Sequence, residues 1–228
     1  MTTDVHFLDN PIWGTLATRH AGKALGAGKA KRFSPQISPL GGLPDESDQS
    51  LADLSALIAE LGGVVIAQDR LFACPDRAKM VHHFYVHQMH LTDTSFAQID
   101  PKLERLSAAD ADQMLALAID AHPGPFALRT HELGEYWGIK IDGQLVAMAG
   151  ERMKLPGLTE ISGVATYEAH RGKGYAKQLC RHLIARILAR GDNAFLHVET
   201  TKPEVENFYH RLGFESQRTL AAQVFERA

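Results

Sequence analysis

The chain has 228 residues, of which 45% are hydrophobic and 22% charged. This is the balance of an ordinary globular protein, and it excludes intrinsic disorder over most of the length. The length suffices for one large domain or two small ones, so the core needs no covalent or metal staple. The only cysteines, Cys74 and Cys180, have no paired spacing, which excludes a disulfide framework and a Cys-rich zinc site. A formal net charge of −3 gives no basic excess for nucleic acid. No stretch approaches the ~18 apolar residues of a membrane span. The opening MTTDVHFLDNPIW lacks the basic flank and apolar run of a signal peptide. The expected setting is the cytoplasm, with neither membrane nor nucleic acid as partner.

Residues 10–50 hold Gly14, Gly22, Gly26, Gly28, Gly41 and Gly42 with Pro11, Pro35, Pro39 and Pro44. This predicts irregular, wrapping structure. Ser50-x-x-Asp53 reads as a capping box, followed by Leu51, Leu54, Ile58 and Leu61 at helical spacing and a Gly62-Gly63 stop. Val64–Ala67 and residues 79–89 read as strands. Beyond Pro101 the pattern alternates cleanly between strand and helix. A strand at 102–106 precedes a helix capped by Ser107-x-x-Asp110. A loop at 122–133 leads to a hairpin turning on Asp142-Gly143, and Thr159–Tyr167 is a further strand. A long helix over 174–190 places Ala176, Leu179, Cys180, Leu183, Ile184 and Ile187 on one face. A strand at 194–200, a short helix capped by Thr201 and a last strand at 214–225 complete a β-α-β-β-β-α-β-α-β order. The division this predicts is an irregular α/β lobe over 1–100, read either as part of the same sheet or as a decayed copy of the following fold, and a compact α+β domain over 101–228.

The stretch Arg171-Gly172-Lys173-Gly174-Tyr175-Ala176 joins a strand to the long helix. Glycines let a ligand approach the backbone, and the unpaired N–H groups and dipole of a helix start suit a pyrophosphate. The alternative is a plain helix-start turn. The stretch lacks the three spaced glycines of a dinucleotide fingerprint. Gly26-Ala27-Gly28-Lys29 imitates a phosphate loop but fails its pattern, because positions 23 and 30 are Lys and Ala.

Arg171-x-x-Gly174-x-Ala176 resembles the acyl-CoA signature of the GCN5-related N-acetyltransferase (GNAT) superfamily. The element order is similar, and Tyr209-His-Arg-Leu-Gly213-Phe214 resembles the superfamily's closing motif. Within it the chain looks closest to the FR47-like group, which includes glycine N-acyltransferases. The phrase Arg129–Met153 carries the same resemblance. The resemblance covers about residues 101–228 and implies the mixed-sheet α+β fold of an acyl-CoA N-acyltransferase with an N-terminal extension. It also implies an acetyltransferase using acetyl-CoA as co-substrate, with a small-molecule amine or a protein amine as acceptor and no metal.

Residue by residue, the resemblance places pyrophosphate on Arg171, Gly172, Lys173, Gly174, Tyr175 and Ala176. It places the pantetheine arm along Val164, Ala165 and Thr166, as an added strand. Glu160 lies eleven positions before Arg171, where glycine N-acyltransferases carry their catalytic glutamate, so it is the expected base; Glu151 and Glu199 are the rivals. Tyr209, four before Gly213, is the expected acid for the leaving thiolate. The superfamily's asparagine seven before that tyrosine is replaced by Lys202, which puts one CoA contact in doubt.

His82, His83, His87 and His90 divide between the two faces of a strand, so strand histidines are the expected reading and a metal site is not. Trp13 and Trp137 read as packing. Arg129, His131 and Glu132 border the acceptor side as a solvated loop. A catalytically silent acyl-CoA-binding module on the same fold is the alternative function.

Overall fold

The computed structural model describes residues 6–228. The N-terminal segment contains α1 (His6–Asp9), α2 (Pro11–Ala17) and three short strands, β1 (Ala24–Leu25), β2 (Lys31–Phe33) and β3 (Gly41–Gly42). Helix α3 (Asp48–Leu61) leads to β4 (Val64–Gln68) and the long β5 (Ala78–Leu91). Then follow β6 (Glu104–Leu106), α4 (Ala111–Ala121), β7 (Tyr136–Ile141), β8 (Gln144–Leu155), β9 (Leu158–Thr166), α5 (Tyr175–Ala189), β10 (Asn193–Glu199), α6 (Pro203–His210) and β11 (Phe214–Arg227).

Eight strands form one sheet in the order β4-β11-β5-β10-β9-β8-β7-β6. Strands β4 and β5 belong to the first hundred residues, yet β5 sits between β10 and β11, pairing with β11 along its length and with β10 over Val86–His90. The N-terminal half therefore shares the sheet with the rest of the chain. All pairs in it are antiparallel except β9 with β10.

Alternation along the strands assigns each apolar set to one of two faces. Ala194, Leu196 and Val198 of β10 pack with Leu179, Leu183, Ile184 and Ile187 of α5, while Phe195, between the first two, packs with Leu8, Ile12 and Leu16 of the N-terminal segment. Helix α3 covers Val64, Ile66 and Phe225 on the α5 side. Helix α4 covers Tyr136, Met148 and Ala165 on the opposite side. No helix among the described residues is long and apolar enough to cross a membrane.

Three local expectations are corrected. The stretch 10–50 is not wholly irregular, because α2 forms at Pro11–Ala17. Asn10 caps it by accepting from Trp13 N, and Pro11, in its first turn, brings a preset φ. The cap of α3 is Ser47 rather than Ser50. Ser50 is buried one turn inside, its hydroxyl donating to Asp45 at 2.6 Å. The cap position of α6 is Lys202, without a side-chain bond, and not Thr201; Pro203 starts the helix in its place. By contrast Ser107 and Asp110 form the expected reciprocal box ahead of α4.

Candidate active site

The parallel pairing of β9 with β10 runs only from Leu158–Asn193 to Glu160–Phe195. Past that point β10 stays with β5 through Glu199, while β9 stays with β8 through Thr166. The two strands diverge, and a cavity of about 350 Å³ opens between them. Its lining includes Ile161–Val164 of β9, His197–Glu199 of β10 and Tyr209 of α6. A larger hollow of about 700 Å³, between α4 and residues 167–170, reaches neither Glu160 nor Tyr209.

Divergence has a chemical consequence. Among the described residues, the β10-facing edge of β9 beyond Glu160 has no strand partner, so its N–H and C=O groups are available to an extended ligand. A bulge falls within this edge. Met148 pairs with Ala165 and Gly150 with Ser162, leaving one extra residue on β9. Gly163 turns through it at φ +63°, and a Cβ there would lie 3.1 Å from the Tyr136 ring. Glycine is thus required both by the backbone and by the close neighbour.

The sequence-predicted loop Arg171–Gly174 stands exposed ahead of α5, with Tyr175 and Ala176 half-buried in the first helical turn. Gly172 and Gly174 adopt φ of +75° and +81°. No side chain among the described residues caps α5, so its first N–H groups face outward without a partner there. Arg171 Nε donates to Thr166 O at 3.3 Å, which ties the loop to the end of β9. Val164 and Thr166 are half-buried and Ala165 is buried against α4. Among Val164, Ala165 and Thr166, the cavity touches only Val164.

Glu160 sits at the floor of the divergence, but not as an open base. Its side chain has no exposure to solvent. One oxygen accepts from Arg152 Nη2 at 2.7 Å and pairs with His197 Nδ1 at 2.8 Å; the other accepts from Arg152 Nε at 2.8 Å and Met153 N at 3.2 Å. Burial pushes its pKa up, but the Arg152 charge and these hydrogen bonds outweigh that and hold it down at about 2. A carboxylate so held is a poor proton acceptor. It serves instead as the fixed anion for His197. The His197–Glu160 contact leaves Nε2 facing the Gln88 amide nitrogen at 3.2 Å. Gln88 in turn bonds Leu8 O and His90, so the imidazole is gripped from both sides. His197 lines the cavity and Glu160 does not.

Of the rivals, Glu151 is fully buried, pairs with Lys154 at 2.9 Å and with Arg190 of α5, and lies outside the cavity. Glu199 lines the cavity and pairs with Lys202 at 2.9 Å. Lys202, at the position of the missing asparagine, thus has a carboxylate partner.

Tyr209 is buried except for its cavity side, and its hydroxyl has no hydrogen-bond partner among the described residues. Burial, then the neighbouring Cys180 and Glu160, push its phenol well above 10. It therefore stays protonated at neutral pH and presents a free donor. The aromatic reading is also met, since its ring packs against Phe208 and Phe214.

Reasoning from sequence missed Arg152, Gly163 and His197. His197 alone left a trace, as the one ionisable residue inside the apolar strand Ala194–Val198. Its partner was invisible because Glu160 lies 37 positions away and meets it only through the β9–β10 register.

A family model described as FR47-like protein matches residues 136–222. Comparison with the curated proteins gives no match. Among solved structures, the chain is similar to a GNAT-family protein from Novosphingobium aromaticivorans at 30% identity, over 97% of this chain and 98% of that one, with a TM-score of 0.90. It shares the fold of a GCN5-related N-acetyltransferase from Kribbella flavida (16% identity, 100% and 96% covered, TM-score 0.61). The same holds for a GNAT-family acetyltransferase from Colwellia psychrerythraea (15% identity, 97% and 94% covered, TM-score 0.56). With a likeness at 30% identity that spans nearly its whole length, this chain belongs to the GNAT family of acyl-CoA-dependent N-acetyltransferases.

Proposed function

We propose that the chain transfers the acetyl group of acetyl-CoA to a primary amine in the cytoplasm. The observation that carries this reading is the divergence of β9 from β10, with the uncapped α5 start at one end and the free Tyr209 hydroxyl in the cavity. The pyrophosphate is assigned to the N–H groups and charges of Arg171–Ala176. The pantetheine arm is assigned to the partnerless edge of β9, from Thr166 near the pyrophosphate loop back to Val164 at the thioester end.

In the reaction, the amine nitrogen bonds to the thioester carbonyl carbon and the carbon–sulfur bond breaks. Attack makes that nitrogen acidic. His197, oriented by Glu160, takes its proton directly or through one water, displacing the 3.2 Å contact from Gln88. Glu160 is then a positioning residue that stabilises the imidazolium. Tyr209 donates to the sulfur as it leaves. A phenol is a weaker acid than a thiol, so its hydrogen bond to the thiolate matters more than full proton transfer. The products are the N-acetyl amine and free CoA.

Calorimetry with acetyl-CoA and CoA release with amines test the reading. Binding with amine-dependent release supports it. Binding with no release from any amine supports a silent acyl-CoA module in its place. Rates of His197→Gln and Glu160→Gln across pH 6–9.5 test the roles. Both variants should lose the rising limb that the wild type shows. A constant ratio to wild type would reduce the pair to scaffolding.

A further inference from the structure

The cavity has a second wall, opposite β9, and residues outside the FR47-like segment build it. Ile12 of α2, Leu40, Val65 and Ala67 of β4, and Phe84 and Val86 of β5 all line it. They share one face of the curved sheet: Ala67 pairs with Ala222 and Ala222 with Phe84, while Val86 pairs with Glu199 of β10. Ile12 and Leu40 belong to the N-terminal segment, which Thr15 and Arg19 pin onto β8 through Lys154 O and Leu155 O. Val65, Ala67 and Phe84 are only half-buried, so this apolar surface is unfilled by the described residues.

The ionic groups around the cavity are matched. Arg152 forks onto Glu160, and Lys202 holds Glu199. A carboxylate brought to Arg152 would meet the Glu160 charge beside it, and a second ammonium would find no unpaired anion among the described residues lining the cavity. A group desolvated without a partner costs binding, whereas apolar surface gains it.

We infer that the acceptor is a small primary amine on an apolar, uncharged body, which lies on the wall formed by Val65, Ala67, Phe84 and Val86 with its nitrogen toward His197. This rests on the acetyltransferase reading above and names the acceptor class within it.

The experiment compares three acceptor arms with acetyl-CoA: phenethylamine and hexylamine, their amino-acid counterparts phenylalanine and norleucine, and the polycation spermidine. The expected result is a kcat/KM for phenethylamine roughly 10²-fold or more above phenylalanine and spermidine. Phe84→Lys should cut kcat/KM for phenethylamine about tenfold or more through KM, while acetyl-CoA affinity by calorimetry stays at the wild-type value. Equal or better use of the amino acids or spermidine overturns the inference. So does acetyl-CoA binding without turnover of any apolar amine. Should acetyl-CoA itself fail to bind, the parent reading falls, and this one with it.

Discussion

The two ends of the cavity are made of different material. The end proposed for acyl-CoA is mostly backbone: the free edge of β9 and the Gly163 bulge, with the uncapped start of α5 lying beyond the cavity. The far end is side chain: apolar residues drawn from α2, β4 and β5, over a buried Arg152–Glu160–His197 cluster. Backbone recognition tolerates change in most side chains but demands glycines where the chain turns, so it leaves a short local motif. Side-chain recognition leaves none, because its members are separated in sequence by as much as 185 positions, Ile12 to His197.

The largest expected effect comes from the cluster. Glu160→Gln leaves Arg152 buried beside a neutral amide, so we expect about 3–5 kcal/mol lost from stability and a large fall in kcat. Glu151→Gln provides the contrast. It breaks an equally buried carboxylate's pairs with Lys154 and Arg190, outside the cavity. Chemical denaturation should show both variants weakened, but only Glu160→Gln should alter the pH profile of kcat. Identical profiles would erase the distinction between the two carboxylates.

The attachment of the acceptor wall is the next weakest point. His20 is buried between Thr15 and Leu133 O, and burial lowers its pKa to about 4. The unfolded chain binds this proton from about pH 6.5 downward, the folded one only near 4. Stability is thus unaffected above 6.5 and falls as pH drops from 6.5 to 4, by up to about 3 kcal/mol. Melting temperature at pH 7.5 and 5.0, in wild type and His20→Gln, checks this. The variant should show a flatter acid slope. Glu160 acts lower: its pKa of about 2 contributes stability above about 4.5, lost as pH falls through 2.

At the backbone end, Gly174→Asp sets a negative charge where the pyrophosphate is assigned. A Cβ at Gly174 meets no neighbour within 4 Å, although its φ of +81° strains any other residue. The fold should survive, as read by circular dichroism, while acetyl-CoA affinity drops about 100-fold. Retained affinity would remove the loop from the site. Tyr209→Phe should have the smallest effect, roughly tenfold on kcat with acetyl-CoA affinity intact, since water can replace a donor to a fairly stable thiolate. Wild-type turnover would leave Tyr209 as packing against Phe208 and Phe214.

The helices and strands of 101–228 were legible because each repeats its apolar positions at its own period, as α5 does. The glycine-bearing loop that opens α5 was legible because its glycines and basic residues are contiguous. Caps were less so. Ser47 and Ser50 both offer a hydroxyl ahead of an apolar run, and the choice fell to Asp45, which accepts from both. Glu160 was found by spacing, yet its state was not. Whether a carboxylate is a base or a locked anion depends on what surrounds it, and Arg152, eight positions earlier, faces it only because β8 folds back on β9.

By itself, then, the sequence determined the succession of elements, the loop that opens α5 and the tyrosine of α6, since each depends on contacts within a few turns of chain. Tertiary structure alone decided three things: that β5 enters the sheet between β10 and β11, that β9 and β10 part after Glu160, and that the N-terminal segment closes the far wall. These rest on pairing and burial between residues tens to hundreds of positions apart. Such long-range contacts form only where two apolar faces and two hydrogen-bonding edges meet at once, which is a property of the folded chain and not of any window along it.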